Sequence, residues 1–437
     1  MRRIGLSLGS AVLALGLAAG GAAAQERQVT RHVLANGMTV LVRENAAVPA
    51  VAVSLQVRAG SRFETETTAG ITNFLHRAML RGTAKRTAEQ FATSYEDIGG
   101  TLDAGGEVEA AEVRGQTLAR NWTTLLALIA EAALEPALEP EEIERERRLL
   151  LAQIKSRADA PFSFTFDAML RDLYGPHPYG RHYLGHKESI EQLTRDELRT
   201  HYRAIYRPER MVLAVSGQVE RGRVIQVAER LFGRMARSAP HAGDALAVPE
   251  PAGERRLIER RAQQAQILVG YLGPGLSDPL HPAVRVLAAT LGGGMAGRLF
   301  VELRDRRGLA YSTGVVVPPF RTGPAFFVAY LGTAPANAAA AEVGVLHELE
   351  RVRAAPITAE ELARAKAYVR GQLSMDRRTN ARQAWYLAFF EVVGAGWDFP
   401  ERYARAIEAV TAADVARAAE RYLTHPTVVV LQPTTQR

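Results

Sequence analysis

The stretch GITNFLHRAMLRGT, residues 70–83, combines an apolar helical pattern with side chains that are able to do chemistry. Its apolar residues recur at the spacing of one helix face. Asn73, His76 and Arg77 lie three and four positions apart, which places them side by side on a neighbouring face. The cluster therefore indicates either a catalytic site, or the remains of one, or the solvated flank of an amphipathic helix.

A second group of candidate ligands lies in HPYGRHYLGH, which contains His177, His182 and His186. His182 and His186 have the spacing of two metal ligands on one helix face, but a proline and two glycines make this segment a loop. The segment has no acidic residue, so a metal site here is the weaker alternative. Signatures of a nucleophilic serine or a phosphate-binding loop are absent from AVSGQ and LGGGMAGRLF.

The bulk composition excludes several classes of function. The chain of 437 residues has no cysteine, which excludes disulfides, thiolate metal sites and a cysteine nucleophile. Its net charge of +7 comes from arginines that are dispersed among glutamates along helices, as in EEIERERRLLLAQIKSR. No basic block with interleaved aromatic residues occurs, so we expect no nucleic-acid partner. With 47% hydrophobic residues, the chain is long enough for two or more domains.

The N-terminus has the pattern of a signal peptide, residues 1–24. A basic start, MRR, precedes the small and apolar IGLSLGSAVLALGLAAGG, and AAA before Gln25 suits cleavage after Ala24. No later segment approaches the roughly 20 apolar residues of a spanning helix. We therefore expect export to the periplasm without a stable membrane span.

The elements that must position these side chains occur in two similar sets. EPEEIERERRLLLAQI (139–154) matches TAEELARAKAYVRGQL (358–373) in its acidic start and apolar spacing. About fifty residues later in each half, Thr194 and Thr411 have the pattern of N-caps before a helix and a buried strand. The duplication predicts two copies of one domain.

The predicted fold class is α+β. Asn36-Gly37 is a strong hairpin signal near the start of the first copy, residues 27–236. A segment rich in Gly, Pro and Ala, residues 237–254, is the predicted linker, and residues 255–437 form the second copy. Each copy runs from strands through helices to a late strand. This order predicts a mainly antiparallel sheet with helices packed on one face.

The order and spacing of five motifs resemble those of the pitrilysin/insulinase-type zinc peptidases (inverzincins). The similarity is greatest to the short, two-domain branch that includes bacterial and mitochondrial-processing-peptidase-like chains, and it covers essentially the whole mature chain. The resemblance implies two homologous domains that form a clamshell around a peptide. The motifs are LANGMTVLVRENAAVPAVAVSLQVRAGSRFE, GITNFLHRAMLRGT, IERERRLLLAQI, PHPYGRHYLG and LGGGMAGRLFVELRDRRGLAYS.

In these enzymes the motif HxxEH supplies two zinc ligands and the glutamate that polarises the attacking water. The resemblance places Asn73 and Arg77 at the two histidine positions and His76 at the glutamate position. Gln153 stands at the position of the third ligand, and Glu146 keeps an acidic residue next to the site. A guanidinium offers no acceptor and repels a cation, so the resemblance implies a degenerate site that binds no metal.

The second half keeps two residues that the resemblance makes functional. Arg304 and Tyr311, in LRDRRGLAYS, follow the glycine-rich turn 292–294. In the family, an Arg and a Tyr at this separation reach across a closed cavity and donate hydrogen bonds to the substrate carbonyl and to the oxyanion. The alternative is that RDRRG is an ordinary helix end, at which Gly308 is the C-cap and the helix dipole favours arginines.

The expected function is that of a metal-free subunit, a pseudoenzyme, in a heterodimeric zinc peptidase. The chain is not expected to be catalytic alone or to hold a cofactor. A paralogous partner would carry HxxEH and the zinc ion, while Arg304 and Tyr311 would act in trans on an extended or unfolded peptide. The alternative is a non-catalytic binding or scaffold protein of the same fold.

Overall fold

The computed structural model describes residues 29–237, 249–250, 253–321 and 324–434. The predicted signal peptide and most of the predicted linker lie outside these ranges. The described residues form two α+β halves, as the sequence predicted. No helix in the described ranges has the length and apolarity needed to cross a membrane.

The first half contains six strands and eight α-helices within its described residues. Asn36-Gly37 forms the predicted hairpin turn, in which Gly37 has a φ of +96°. The strands are β1 (Val29–Val33), β2 (Thr39–Glu44), β3 (Ala50–Val57), β4 (Thr101–Gly106), β5 (Ala111–Leu118) and β6 (Met211–Gly217). The helices are α1 (Ile71–Met79), α2 (Ala88–Glu96), α3 (Trp122–Leu134), α4 (Pro140–Asp159), α5 (Pro161–Tyr174), α6 (Lys187–Gln192), α7 (Arg195–Ile205) and α8 (Arg221–Phe232).

The second half repeats this organisation, with a π-helix at Phe300–Arg306. Its described strands are β7 (Arg255–Arg260), β8 (Ala265–Gly273), β9 (Ser312–Val316), β10 (Ala325–Thr333) and β11 (Thr427–Pro433). Its described helices are α9 (His281–Gly292), α10 (Ala338–Ala354), α11 (Ala359–Asp376), α12 (Asn380–Val392), α13 (Phe399–Ala409) and α14 (Ala412–Tyr422).

The five strands of the second sheet repeat the order and directions of β2 to β6 in the first, to which β1 adds a sixth strand, and this confirms the predicted duplication. The first has the order β1-β2-β6-β3-β5-β4, and the second has the order β7-β11-β8-β10-β9. In each sheet the late strand pairs in parallel with an early one, β6 with β2 and β11 with β7, and the other described pairs are antiparallel. The sheets are therefore mainly antiparallel, as predicted.

Capping residues start equivalent helices in the two halves. The side chains of Thr194 and Thr411 accept hydrogen bonds from the third backbone N–H of α7 and α14, and each belongs to a capping box. Such a cap contributes about 1 kcal/mol to helix stability. Both predicted N-caps are confirmed.

Each sheet also carries one helix from the other half. The helices of each half cover one face of its own sheet, as predicted. On the opposite face, α5 packs against β8 and β11 of the second sheet, and α12 packs against β3 and β6 of the first. Leu268 and Val429 belong to the same hydrophobic cluster as the apolar residues of α5. Ala52 and Ala214 belong to the same cluster as those of α12. This exchange makes the hydrophobic cores of the two halves interdependent.

Candidate functional site

Helix α1 carries Asn73, His76 and Arg77, which the resemblance assigns to a degenerate zinc site, and a buried carboxylate fixes its start. The Glu64 carboxylate accepts hydrogen bonds from the backbone N–H of Gly70 at 2.7 Å and of Thr72 at 3.0 Å. These are groups that a helix N-terminus leaves unpaired. Burial raises the pKa of Glu64, while its hydrogen bonds to Thr72 and Gly70 oppose that shift.

Arg77 joins α1 to α4 through two side chains. Its Nε donates to the carboxylate of Glu146, and its Nη1 donates to Gln153 Oε1 at 2.6 Å. Arg81 donates from Nε to the other oxygen of the same carboxylate at 2.9 Å. Glu146 is only 1% exposed, so two guanidinium groups compensate one buried negative charge.

Asn73 faces the edge strand β4. Its Nδ2 donates to the carbonyl oxygen of Gly106 at 3.0 Å. Gly106 has no room for a side chain, because a Cβ there would lie 2.8 Å from the backbone nitrogen of Asn73. Asn73 is 6% exposed, and its Oδ1 has no hydrogen-bond partner among the described residues.

His76 points into the core of the first half rather than toward Arg77. It is completely buried, and its Nδ1 lies 2.7 Å from the Thr72 carbonyl oxygen while its Nε2 lies 3.0 Å from the Tyr206 hydroxyl. A carbonyl only accepts, so Nδ1 carries the proton and Nε2 accepts from Tyr206. Burial lowers the pKa of His76 to about 4. The interpretation of Asn73 and His76 as a solvated helix flank is therefore wrong.

The donor set at these positions does not suit zinc, which takes nitrogen, sulfur and carboxylate ligands. Arg77 presents only N–H donors, and Glu146 already accepts from two guanidinium groups. Both ring nitrogens of His76 are engaged elsewhere. Among the described residues, no group of three His, Asp or Glu side chains has the arrangement of a metal site.

The loop histidines act as local hydrogen-bond acceptors. His177 Nδ1 accepts from the backbone N–H of Tyr179 at 3.2 Å, and His182 Nδ1 accepts from that of Leu184 at 3.2 Å. His186 caps α6. The structure does not bring these three side chains together as a metal site.

Arg304 and Tyr311 flank the turn between the π-helix and the edge strand β9. Gly308 ends the helix with a φ of +62°, which supports the prediction of a helix end at this point. The Arg304 guanidinium lies 4.7 Å from the centre of the Phe300 ring, and the described residues offer it no ion pair. Tyr311 is 60% exposed. In the described ranges, no hydrogen bond joins either residue to Asn73, His76, Arg77 or Gln153.

Arg306, by contrast, serves the helix. It forms an ion pair with Glu302 at 2.8 Å, one turn earlier in the same element. Arg304 is exposed and has no ion pair among the described residues, whereas the charge of Arg306 is neutralised by Glu302. Arg304 and Tyr311 are both accessible to a molecule that approaches this turn.

Sequence reasoning missed Arg81 and a polar cavity next to Asn73. The spacing of Arg81, four positions after Arg77, was available as a signal for a shared partner. The cavity has no comparable signal, because it combines Gln56 and Glu112 with Trp385 from the other half. Only the packing of α12 on the first sheet brings these residues together.

Comparisons with known proteins identify what this chain is similar to. Residues 39–187 match the family described as insulinase (peptidase family M16), and residues 192–369 match the peptidase M16 inactive domain. An uncharacterized zinc protease of Mycobacterium leprae is 32% identical over 352 residues, or 80% of this chain and 79% of that protein. One of Rickettsia bellii is 28% identical over 390 residues, or 89% and 93%.

Solved structures share the fold over almost the whole chain. A peptidase M16 inactive domain from Pseudomonas fluorescens superposes with a TM-score of 0.85 at 22% identity, covering 94% of this chain and 99% of that one. A protease from Helicobacter pylori has a TM-score of 0.86 at 20% identity, covering 93% and 100%. Similarity at this level of identity concerns the architecture.

Proposed function

The chain belongs to the insulinase family of peptidases, family M16, and from this premise we propose that it is the metal-free subunit of a two-chain zinc peptidase. A paralogous partner carries HxxEH and the zinc ion. This chain closes over the partner and contributes Arg304 and Tyr311 to an unfolded peptide substrate. Export through residues 1–24 places the pair in the periplasm.

The single observation that carries the proposal is the contrast between two sets of residues. At the degenerate zinc positions, Arg77 is committed to Glu146 and Gln153 inside the chain. Arg304 and Tyr311 instead extend from a turn with no ion pair or side-chain hydrogen bond to other described residues, and Tyr311 is largely exposed. The first half has thus lost metal ligands, whereas the second half keeps free donors.

The proposed role of the pair follows from electrostatics. A guanidinium and a phenol both donate hydrogen bonds, and donors held in place before the reaction stabilise charge that develops on a carbonyl oxygen. The covering of each sheet by a helix from the other half holds the two halves together. The proposal requires the turn between Arg304 and Tyr311 to hold both donors in place before the reaction.

Co-purification tests the proposal. The mature chain is expressed with a His tag, alone and together with an untagged HxxEH-bearing M16 paralogue from the same organism. We expect the paralogue to co-purify and the pair to cleave an unfolded peptide that neither chain cleaves alone. Stoichiometric zinc and peptidase activity in the single chain would contradict the proposal. Co-purification without any gain in activity would favour the scaffold alternative.

A further inference from the structure

A cavity of about 160 Å³ lies next to Asn73, between the β4–β5 hairpin and helix α12 of the other half. One wall consists of the side chains of Gln56, Asn73 and Glu112. The opposite wall includes Trp385 and Phe389, whose rings stack at 4.6 Å. The space admits more than a single water molecule.

Two buried amides at this cavity each leave an oxygen without a partner. Asn73 Nδ2 is fixed on the Gly106 carbonyl, which places its Oδ1 on the other side of the amide. Gln56 is 1% exposed, and its Nε2 lies 3.5 Å from Ser54 Oγ. In the part of the chain that the structure describes, neither Gln56 Oε1 nor Asn73 Oδ1 accepts a hydrogen bond. Buried acceptors of this kind normally have a donor.

The charges around the cavity are mostly negative. Asp103, Glu107 and Glu112 line it together with a single guanidinium, that of Arg114. Arg114 is already paired with both Asp103 and Glu112, and Ser54 Oγ donates to Glu112 at 2.6 Å. Glu107 is exposed and has no ion pair with another described residue. The cavity thus presents acceptors and an excess of negative charge, while its one guanidinium is already paired.

We infer that this cavity binds a guanidinium group carried on an alkyl chain, as in an arginine side chain. A guanidinium has five N–H donors and no acceptor, which matches two amide oxygens and the neighbouring carboxylates. The stacked rings of Trp385 and Phe389 supply an apolar wall for the alkyl chain. The site belongs to this chain alone and needs neither zinc nor a second subunit.

Calorimetric titration of the isolated mature chain tests the inference with N-acetyl-arginine amide and its neutral isostere N-acetyl-citrulline amide. We expect the arginine compound to bind at least about tenfold more tightly, because only its group is cationic and purely donating. A short extended peptide with one central arginine distinguishes the sources of the group. Tighter binding of the peptide identifies a peptide ligand, and equal binding identifies a small cation.

Two variants connect binding to this cavity. Glu107→Gln removes an exposed charge and should weaken binding of the arginine compound about tenfold, whereas Glu96→Gln, on the exposed surface of α2, should leave it unchanged. Gln56→Met removes the buried acceptor at similar volume and should also weaken binding, with a thermal midpoint no lower than that of the parent.

Equal affinity for the arginine and citrulline compounds, or no binding of either, would overturn the inference. So would a crystal structure grown with the arginine compound in which only ordered water contacts Gln56 and Asn73. Because these measurements use the chain without a partner, their failure leaves the proposed pairing untouched. Failure of the pairing experiment likewise leaves this site untouched.

Discussion

The guanidinium of Arg77, on α1, donates to the buried carboxylate of Glu146, on α4. In the resembled zinc enzymes, a metal ion would stand near this position and supply the positive charge. Here the charge is covalently part of the chain, and Arg81 adds a second guanidinium to the same carboxylate. The ion network therefore joins α1 and α4, the two helices to which the resemblance assigns the degenerate zinc positions.

Removal of both arginines should destabilise the first half. Arg77→Leu alone leaves Glu146 paired with Arg81, so we expect a loss of about 1–3 kcal/mol in the free energy of unfolding. Arg77→Leu with Arg81→Leu leaves a buried carboxylate without a cation, and we expect a loss of about 3–5 kcal/mol. Urea unfolding followed by circular dichroism measures both values.

Arg145→Leu with Arg148→Leu is the matched control, since both arginines are exposed on α4 and neither contacts Glu146. We expect this control to change the free energy of unfolding by less than about 0.5 kcal/mol. Equal losses for the single and double arginine variants would show that Arg81 does not share the carboxylate.

Three substitutions should create a zinc site on α1 and α4. Residues 73 and 77 are one helical turn apart, and Arg77 already reaches Gln153 at 2.6 Å. Asn73→His, Arg77→His and Gln153→Glu therefore supply two imidazoles and a carboxylate, a set that holds Zn²⁺. We expect stoichiometric zinc by elemental analysis after dialysis, where the parent chain retains none.

The same variant without Gln153→Glu should bind zinc more weakly, because it lacks the third ligand. Both variants keep His76 and should remain inactive on peptides. A folded triple variant that takes up no zinc would contradict the assignment of these positions from the sequence.

The sequence predicted those parts of the fold that local signals determine. The Asn36-Gly37 turn and the caps at Thr194 and Thr411 depend on neighbouring residues, and the repeat of helix patterns is visible in register. The exchange of α5 and α12 was not predictable in this way. Both strand faces are apolar in a segment such as 211–217, which indicates burial but not the identity of the covering helix.

In the candidate site, too, local sequence predicted some features and tertiary packing determined the others. Helical spacing placed Asn73, His76 and Arg77 near one another, but it did not determine where each side chain points. His76 turns toward Tyr206, more than a hundred positions later in the sequence, because the core there offers a hydroxyl. Long-range partners of this kind are fixed by tertiary packing, and a single sequence does not contain them.

Stability should fall as the pH drops from about 7 to 4. Burial lowers the pKa of His76 and of His201 to about 4, from an ordinary value of 6.5. Between these values the unfolded chain binds protons that the native chain does not, so acid favours unfolding. Each histidine should remove about 1–2 kcal/mol from the free energy of unfolding at pH 5 relative to pH 7.5.

His76→Gln separates this contribution from the rest of the acid response. Glutamine keeps a donor and an acceptor but takes up no proton, so the loss between pH 7.5 and pH 5 should shrink by about 1–2 kcal/mol. Urea unfolding at the two pH values measures the difference. If parent and variant lose the same free energy of unfolding between pH 7.5 and pH 5, His76 binds protons alike in the folded and the unfolded chain.

The last prediction concerns Arg304 and Tyr311 in the assembled pair. If they hold a developing oxyanion, Tyr311→Phe removes one donor and should lower kcat about 10²- to 10³-fold, as loss of such a donor does elsewhere. The described residues give the Tyr311 hydroxyl no hydrogen bond, and the ring is largely exposed, so folding and co-purification should persist. Arg304→Gln should act in the same direction.

Two matched variants make this result specific. Tyr368→Phe changes another partly exposed tyrosine of the second half, and Arg306→Gln changes the neighbouring arginine that pairs with Glu302. Neither should alter kcat by more than about twofold, because neither is expected to reach the substrate. If Tyr311→Phe and Tyr368→Phe both have the same kcat as the parent pair, Tyr311 has no part in the reaction. That result would favour the scaffold alternative.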